Sequence, residues 1–318
     1  MSLSANFPVL LAAGILALNL LVLTLAALSL YFSRAQYENR AIVATQNLAQ
    51  VLEQHIATAI DKVDLALLAQ RDEIARELAG GGIDAQVLNT SIAQQLARQS
   101  DLESLRYANA QGIVEYGAGV VSGSPVSAAD REYFTRLRDV PGAGLFITMP
   151  ILGRISGKWV IILARRVNAP DGSFAGVVFA TISLDNFQKL FSTLNLGGHG
   201  AVSLRDTKLG LVARHAAGNG ASAEVGSNSV SKELNEIVRT NPITGTYIAY
   251  TRMDGIERAN AYRKISNYPF YVIVGLATDD FLAEWHDEAV TTLALLAVFV
   301  VVTFGFSWLI YHSWKVRE

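Results

Sequence analysis

The chain has 318 residues, a formal net charge of -2, no cysteine, and hydrophobic side chains at 51% of positions. The lack of cysteine excludes a disulfide framework, and the 24 basic against 27 acidic side chains between residues 33 and 289 give no support to a nucleic-acid partner. The apolar surplus has a local origin in two charge-free runs, Phe7 to Phe32 and Ala289 to Ile310.

The first run meets the requirement of about 20 apolar residues for a membrane-spanning helix. A cleaved secretory signal is the rival reading. The run lacks a basic n-region and exceeds the usual apolar core of roughly 7–15 residues, so it reads as a retained anchor over 7–32. Beyond it, Leu52, Ile56, Ile60, Val63, Leu67, Ile74 and Leu78 recur at helical spacing, and neither Gly nor Pro occurs from Ser33 to Ala79. The pattern predicts a long helix over 33–79 that continues the span and stops at Gly80-Gly81-Gly82. Its narrow apolar stripe could pack on its own domain, on a partner's copy in a homodimer, or on both.

A second helix is predicted from about Asp84 to Gln99. SLRYANAQGIVEYG then reads as a hairpin turning around Asn109 to Gly112. Ser127 to Asp130 offers capping side chains for a helix carrying Arg131, Tyr133 and Phe134. Strand-like runs follow in GLFITMP, GKWVIILARRV and FAGVVFATISL, the last two joined by a Pro170-Asp171-Gly172 turn, and Leu184 to Leu194 reads as a connecting helix. The pattern then begins again. GAVSLRDTKLGLVAR is a hairpin, Val230 to Thr240 a short helix, GTYIAYTRMDGIERANAYRKI a hairpin turning at Asp254-Gly255, and YPFYVIVGLA a final strand. GVVFATISLDNF and YVIVGLATDDF share one plan, an apolar strand, an acidic residue and then Phe, which points to two tandem copies of one small unit.

The expected class is therefore α+β: a long N-terminal helix plus two tandem antiparallel-sheet modules, over 80–194 and 195–285, between two spans. The second span, 289–311, has Asp279, Asp280, Glu284, Asp287 and Glu288 on one side and His312, Lys315 and Arg317 on the other. By the positive-inside rule its C-terminal end, with the stub 312–318, is cytoplasmic, and residues 33–288 lie outside the cytoplasm. The module at 80–194 is then membrane-distal and that at 195–285 membrane-proximal. Trp285, Trp308, Tyr311 and Trp314 would anchor at the lipid interfaces.

Charge is unevenly spread. Between Arg131 and Arg166 there are seven basic residues against two acidic ones, either a solvated basic face or a pocket for an anion, since arginine holds carboxylates in a bidentate fork. The arginine candidates are Arg131, Arg154 and one of Arg165 or Arg166, which alternate to opposite faces of a strand. No catalytic or metal arrangement is found: the five histidines are scattered, and the turn at Gly197, Gly198 and Gly200 lacks the lysine and serine of a phosphate loop. No enzyme activity and no cofactor are expected.

The motifs DREYF at 130–134, RISGKWVIILARRV at 154–167, DGSFAGVVFATISLDNF at 171–187 and DGIERANAYRKISNYPFYV at 254–272, in this order, resemble those of the double Cache family. These are PAS-like extracytoplasmic sensor domains of bacterial membrane-bound diguanylate cyclases, sensor kinases and chemoreceptors. The resemblance implies a signal receptor of the bacterial inner membrane, with a small ligand in the distal module and a cytoplasmic output domain such as a diguanylate cyclase. Only seven residues follow Tyr311, so the chain is expected either to have been cut before that output domain or to act through a separate partner. In amino-acid-binding members an Arg-x-Trp-Tyr element and a later Asp grip the carboxylate and the amino group. Arg131 matches the Arg, Tyr133 stands where Trp is usual, Phe134 where Tyr is usual, and Thr181 where the Asp is expected. The implied ligand is a carboxylate without an ammonium group, held by Arg131, Tyr133, Arg154, Trp159 and one of Arg165 or Arg166. The rival function is a ligand-free dimerisation or protein-docking scaffold anchored in the membrane lipid, which predicts a distal interior filled by apolar side chains.

Overall fold

The computed structural model describes residues 7–99, 102–121, 123, 125–218 and 224–317. With no Gly or Pro after Ser33 to interrupt it, helix α1 (Phe7–Ala79) runs unbroken to the Gly80-Gly81-Gly82 stop. There the Gly82 N–H reaches back to the Glu77 carbonyl at 3.2 Å, and Gly81 and Gly82 take positive φ values of 107° and 148°. Helix α2 (Ala85–Arg98) is capped by Asp84, whose carboxylate accepts from the N–H groups of Gln86 and Val87.

Two sheets follow. The first holds β1 (Ser104–Asn109), β2 (Ile113–Gly117), β3 (Val126–Ser127), β4 (Phe146–Ile147), β5 (Ile151–Leu152), β6 (Trp159–Asn168) and β7 (Phe174–Ser183), with α3 (Glu132–Asp139) inserted and α4 (Leu184–Ser192) after it. The second holds β8 (Ala201–Asp206), β9 (Leu211–Ala216), β10 (Thr244–Tyr250), β11 (Glu257–Lys264) and β12 (Phe270–Ala277), with α5 (Lys232–Thr240) inserted, before α6 (Thr278–Arg317). The strand orders are β3-β2-β1-β7-β6-β4, with β5 also on β6, and β10-β11-β12-β8-β9. Both place the last strand in the middle, between the first and the next-to-last of their module. The shared plan of GVVFATISLDNF and YVIVGLATDDF is thus the shared central strand, β7 and β12, each followed by a helix.

Alternation along the strands divides each sheet into two faces. On one, Leu105, Tyr107, Ile161, Leu163, Val178, Val202, Leu204 and Val272 join Leu52, Ile56, Ile60, Val63, Leu67 and Ile74 of α1 in one core. Each fully buried aliphatic side chain there contributes roughly 1.5–3 kcal/mol. Polar ties fix the register of helix on sheet: Arg165 to Asp64 at 2.5 and 2.7 Å, Arg263 to Glu53 at 2.8 Å, and the Tyr268 hydroxyl to Asp61. The stripe of α1 therefore packs on its own domain. The opposite faces carry smaller cores, around Tyr133, Phe134 and Leu137 of α3 in the first module and around Leu234 of α5 in the second. Each of those faces holds a cavity.

One predicted strand is cut short. GLFITMP gives only the two residues of β4, because the Ile162 N–H bonds the Thr148 hydroxyl at 2.9 Å in place of its carbonyl and Pro150 has no N–H to donate.

The chain forms two compact units, Thr45–Leu276 and the pair Met1–Ala44 with Ala277–Glu318. In the latter, α1 and α6 each carry a stretch long and apolar enough to cross a membrane, with Leu16, Leu20, Val301 and Phe304 exposed along them. Polar bonds join the two helices: Thr303 donates to Asn19 Oδ1 at 3.1 Å, Trp285 Nε1 to the Leu30 carbonyl at 3.1 Å, and Ser33 to Glu288 at 2.7 Å. An Asn in an apolar helix makes a specific contact with its neighbour helix.

Candidate functional site

A cavity of about 30 Å³ opens between the outer face of the first sheet and the segments holding β3, α3 and β5. Its polar walls are Arg106, Ser127, Arg131, Tyr133, Arg154 and Thr181, set among Val114, Ile162 and Phe179. Each polar group is placed by ordinary local rules. Arg106 shares the outer face of β1 with Ser104 and Ala108. At Gly117 the chain turns with φ 118°, where an added Cβ would meet the Leu105 carbonyl at 2.3 Å, so only glycine lets the backbone come this close. The next carbonyl, Ala118, then accepts from Arg106 Nε at 2.6 Å.

Arg131 is the N-cap residue of α3, and no side chain caps that helix. This corrects the sequence expectation: Ser127 accepts from the Ala129 N–H, and Asp130 turns away to Arg154. The Arg154–Asp130 pair is bidentate, 2.6 Å at each oxygen, and Arg154 also donates to the Ser127 carbonyl at 2.6 Å. Arg131 donates to the Leu152 carbonyl at 3.1 Å. Two loops are thus held around the cavity mouth by arginines whose remaining N–H groups can face a ligand.

The hydrogen bond from Arg154 is the main reason that the Asp130 carboxyl is held down to about 2. Burial pushes the Tyr133 hydroxyl up to about 12, against the pull of Arg131, Arg154 and Arg106, so it remains a protonated donor at neutral pH. Desolvation lowers the Arg106 guanidinium from its ordinary value, but an arginine stays charged in such a site. Three guanidiniums and one carboxylate leave a local excess of positive charge over a donor hydroxyl. That arrangement suits a small anion.

Arg131, Tyr133, Arg154 and Thr181 are therefore brought to one cavity. Trp159, Arg165 and Arg166 lie elsewhere. Trp159 opens β6 with 47% of its surface exposed, on the parity that faces α1. Arg165 has that parity too and is spent on Asp64. Arg166 is on the cavity's parity but four residues, roughly 13 Å, beyond Ile162; it donates to the Leu137 and Arg138 carbonyls and lies 4.8 Å from the Phe174 ring. Phe134 is core, packed edge-on against Phe174. Thr181 and Ser104 bond each other at 2.7 Å, both buried, so the place of the family's Asp holds a hydroxyl pair. Arg106 was not singled out by sequence. Its signal was an arginine on the same strand parity as two small residues, Ser104 and Ala108. Among the described residues no group of His, Asp and Glu could hold a metal ion.

The comparisons agree with this architecture. The profile of the Cache domain matches residues 33–285. The methyl-accepting chemotaxis protein PscA of Pseudomonas syringae pv. tomato is 26% identical over 191 residues, 55% of this chain and 27% of that protein, so the chain spans about a quarter of that relative's length. The extracellular domain assigned to a histidine kinase, rpHK1S-Z16, superimposes with a TM-score of 0.65 and 27% identity, covering 78% of this chain and 98% of that one. The ligand-binding domain of the Campylobacter jejuni chemoreceptor Tlp3 in complex with 4-methylisoleucine has the same fold at a TM-score of 0.56 and 14% identity, covering 77% and 94%. The ligand-binding domain of Mlp24 with asparagine has it at 0.56 and 11%, covering 80% and 98%. A profile match from 33 to 285, on two modules of one strand order flanked by two apolar helices, makes this chain a member of the Cache domain family, with the double Cache sensor architecture.

Proposed function

We propose that the chain is the extracytoplasmic sensing region of a bacterial signalling protein of the inner membrane, and that its distal cavity binds a small organic anion without an ammonium group. The observation that carries this reading is the convergence of Arg106, Arg131, Arg154 and Tyr133 on one cavity, with a single carboxylate, Asp130, among them. A scaffold without a ligand has no use for the buried Arg106 guanidinium, whose desolvation is costly. The likeness to domains solved with 4-methylisoleucine and asparagine supports a small ligand. An α-amino acid is disfavoured by the Ser104–Thr181 hydroxyl pair, which offers an ammonium no counter-charge.

Both sheets rest on the same helix, through Arg165–Asp64 in the distal module and Arg263–Glu53 in the other. A ligand that favours one arrangement of the cavity loops would shift α1 by its differential affinity for the two states. The readout would be a cytoplasmic output domain, such as a diguanylate cyclase. The outward side of α1 keeps Val51 and Leu65 exposed, fourteen residues apart on one stripe, which supports side-by-side pairing in a homodimer.

The test is calorimetric titration of the whole chain in detergent with a panel of carboxylates, on wild type and on Arg131→Ala. Removing one charge-assisted contact, about 1.5–3 kcal/mol, is expected to weaken binding by roughly 10- to 150-fold. Equal affinities for the two proteins would remove Arg131 from the site.

A further inference from the structure

The second module repeats the distal arrangement with different residues. Ala201, Ser203 and Arg205 alternate on the outer face of β8, and Arg258 and Asn260 on that of β11. Between this face and the start of α5 lies a cavity of about 50 Å³, walled by Arg205, Arg214, Arg258, Tyr247, Ser231 and Asn260. Asp254, which sequence reading treats as a turn residue, is buried here. It takes Arg258 in a fork at 2.9 and 2.9 Å and Arg214 at 2.6 Å. One carboxylate thus faces two guanidiniums.

Arg205 is the third. It is 4% exposed and its bonds run to neutral acceptors, the carbonyls of Leu209 at 2.6 Å, Ser227 at 3.3 Å and Ser229 at 3.4 Å. Its chain neighbour Asp206 is turned into the β8–β9 turn, where it accepts from the N–H groups of Lys208 and Gly210. Burial lowers the Arg205 guanidinium to about 10, which still leaves it charged at neutral pH. Among the described residues Arg205 hydrogen-bonds carbonyls alone, and a buried cation held in this way is costly unless an anion joins it.

We propose that this cavity is a second ligand site, for a short carboxylate of about two to four carbons. Arg205 and Arg258 would take the carboxylate, and the hydroxyls of Ser231 and Tyr247 would accommodate a hydroxyl substituent. Leu234, Ala249 and Ile273 supply an apolar lining that suits a short hydrocarbon better than a fully polar ion. The volume, a few water-sized spaces, limits the chain length. Asp254 is already engaged on two arginines, so an ammonium group gains nothing.

The experiment is titration of the full chain in detergent with acetate, propionate, lactate and malonate, and separately with inorganic phosphate and sulfate. At least one carboxylate should saturate, with affinity reduced tenfold or more by Arg205→Gln and by Ala249→Leu, which fills the cavity without touching its charges. The distal variant Arg131→Ala should leave this binding unchanged, so failure here and failure of the distal reading are separable. On the unaltered chain, the same carboxylate should slow amide exchange at residues 209–211 and 227–231. The proposal is overturned if no carboxylate saturates, if only phosphate or sulfate does, if Arg131→Ala abolishes the binding, or if exchange in those segments is unaffected.

Discussion

Replacing Asp254 by Asn removes one charge and almost no volume, and the structure sets the size of the response. The carboxylate accepts at 2.6, 2.9 and 2.9 Å from two arginines, and the three side chains are 5%, 6% and 1% exposed. Breaking a buried ion pair from one side costs about 3–5 kcal/mol, because the stranded charge stays buried. Arg258 keeps the Thr251 hydroxyl and the His199 carbonyl, which places the expected loss near 3 kcal/mol. In a domain of this size each kcal/mol moves the midpoint by about 2–4 °C, so thermal unfolding of the detergent-solubilised chain at pH 7 should fall by about 6–12 °C. Burial pushes the Asp254 carboxyl up, but the bonds from Arg258 and Arg214 outweigh it and hold it below its ordinary value. Its stabilisation is therefore complete above the unfolded value of about 3.9 and fades only as pH falls through the lower folded one. The gap between variant and wild type should stay constant from pH 5 to pH 8 and close below about pH 4. A midpoint shift under about 2 °C would refute the reasoning, since it would mean that water already reaches the arginines.

Two further outcomes follow from the same geometry. The Asp130 carboxyl should titrate near 2 by carbon-detected NMR, and Arg154→Gln should raise it toward the free value of about 3.9; an unchanged value would show that the fork is absent in solution. Leu67→Ala, at a fully buried site on α1, should lower stability by about 2–5 kcal/mol in denaturant titration. Leu65→Ala, two residues away and 66% exposed, should change it by less than about 0.5 kcal/mol in the monomer, so similar losses would mean that the helix is rotated about its axis.

The elements were legible because their signals are local. Two charge-free runs, a glycine stop after an uninterrupted helical stripe, and paired hairpins with Gly in the turns each depend on neighbours a few residues apart. The tandem plan was legible from GVVFATISLDNF and YVIVGLATDDF, and it survives as the central strand of each sheet. The site was legible only in part. Arg131, Tyr133, Arg154 and Thr181 meet, yet Arg165 and Arg166 are drawn off to Asp64 and to the end of α3, and Asp130 leaves the helix it was expected to cap for an arginine 24 residues on.

What sequence determined by itself is therefore the inventory: the membrane-length helices, the α+β class, the repeat, and a surplus of arginine in the first module. Tertiary structure decided which charges meet. Strand parity chooses the face on which an arginine lies, but its partner depends on which strands become neighbours. Arg214 reaches Asp254 across 40 positions, and among the described residues Arg205 hydrogen-bonds no carboxylate, while the one beside it is held by a turn. Ion pairing acts over a few ångströms of space at any separation along the chain, so it is the folded sheet, and not the spacing of letters, that leaves each cavity with positive charge to spare.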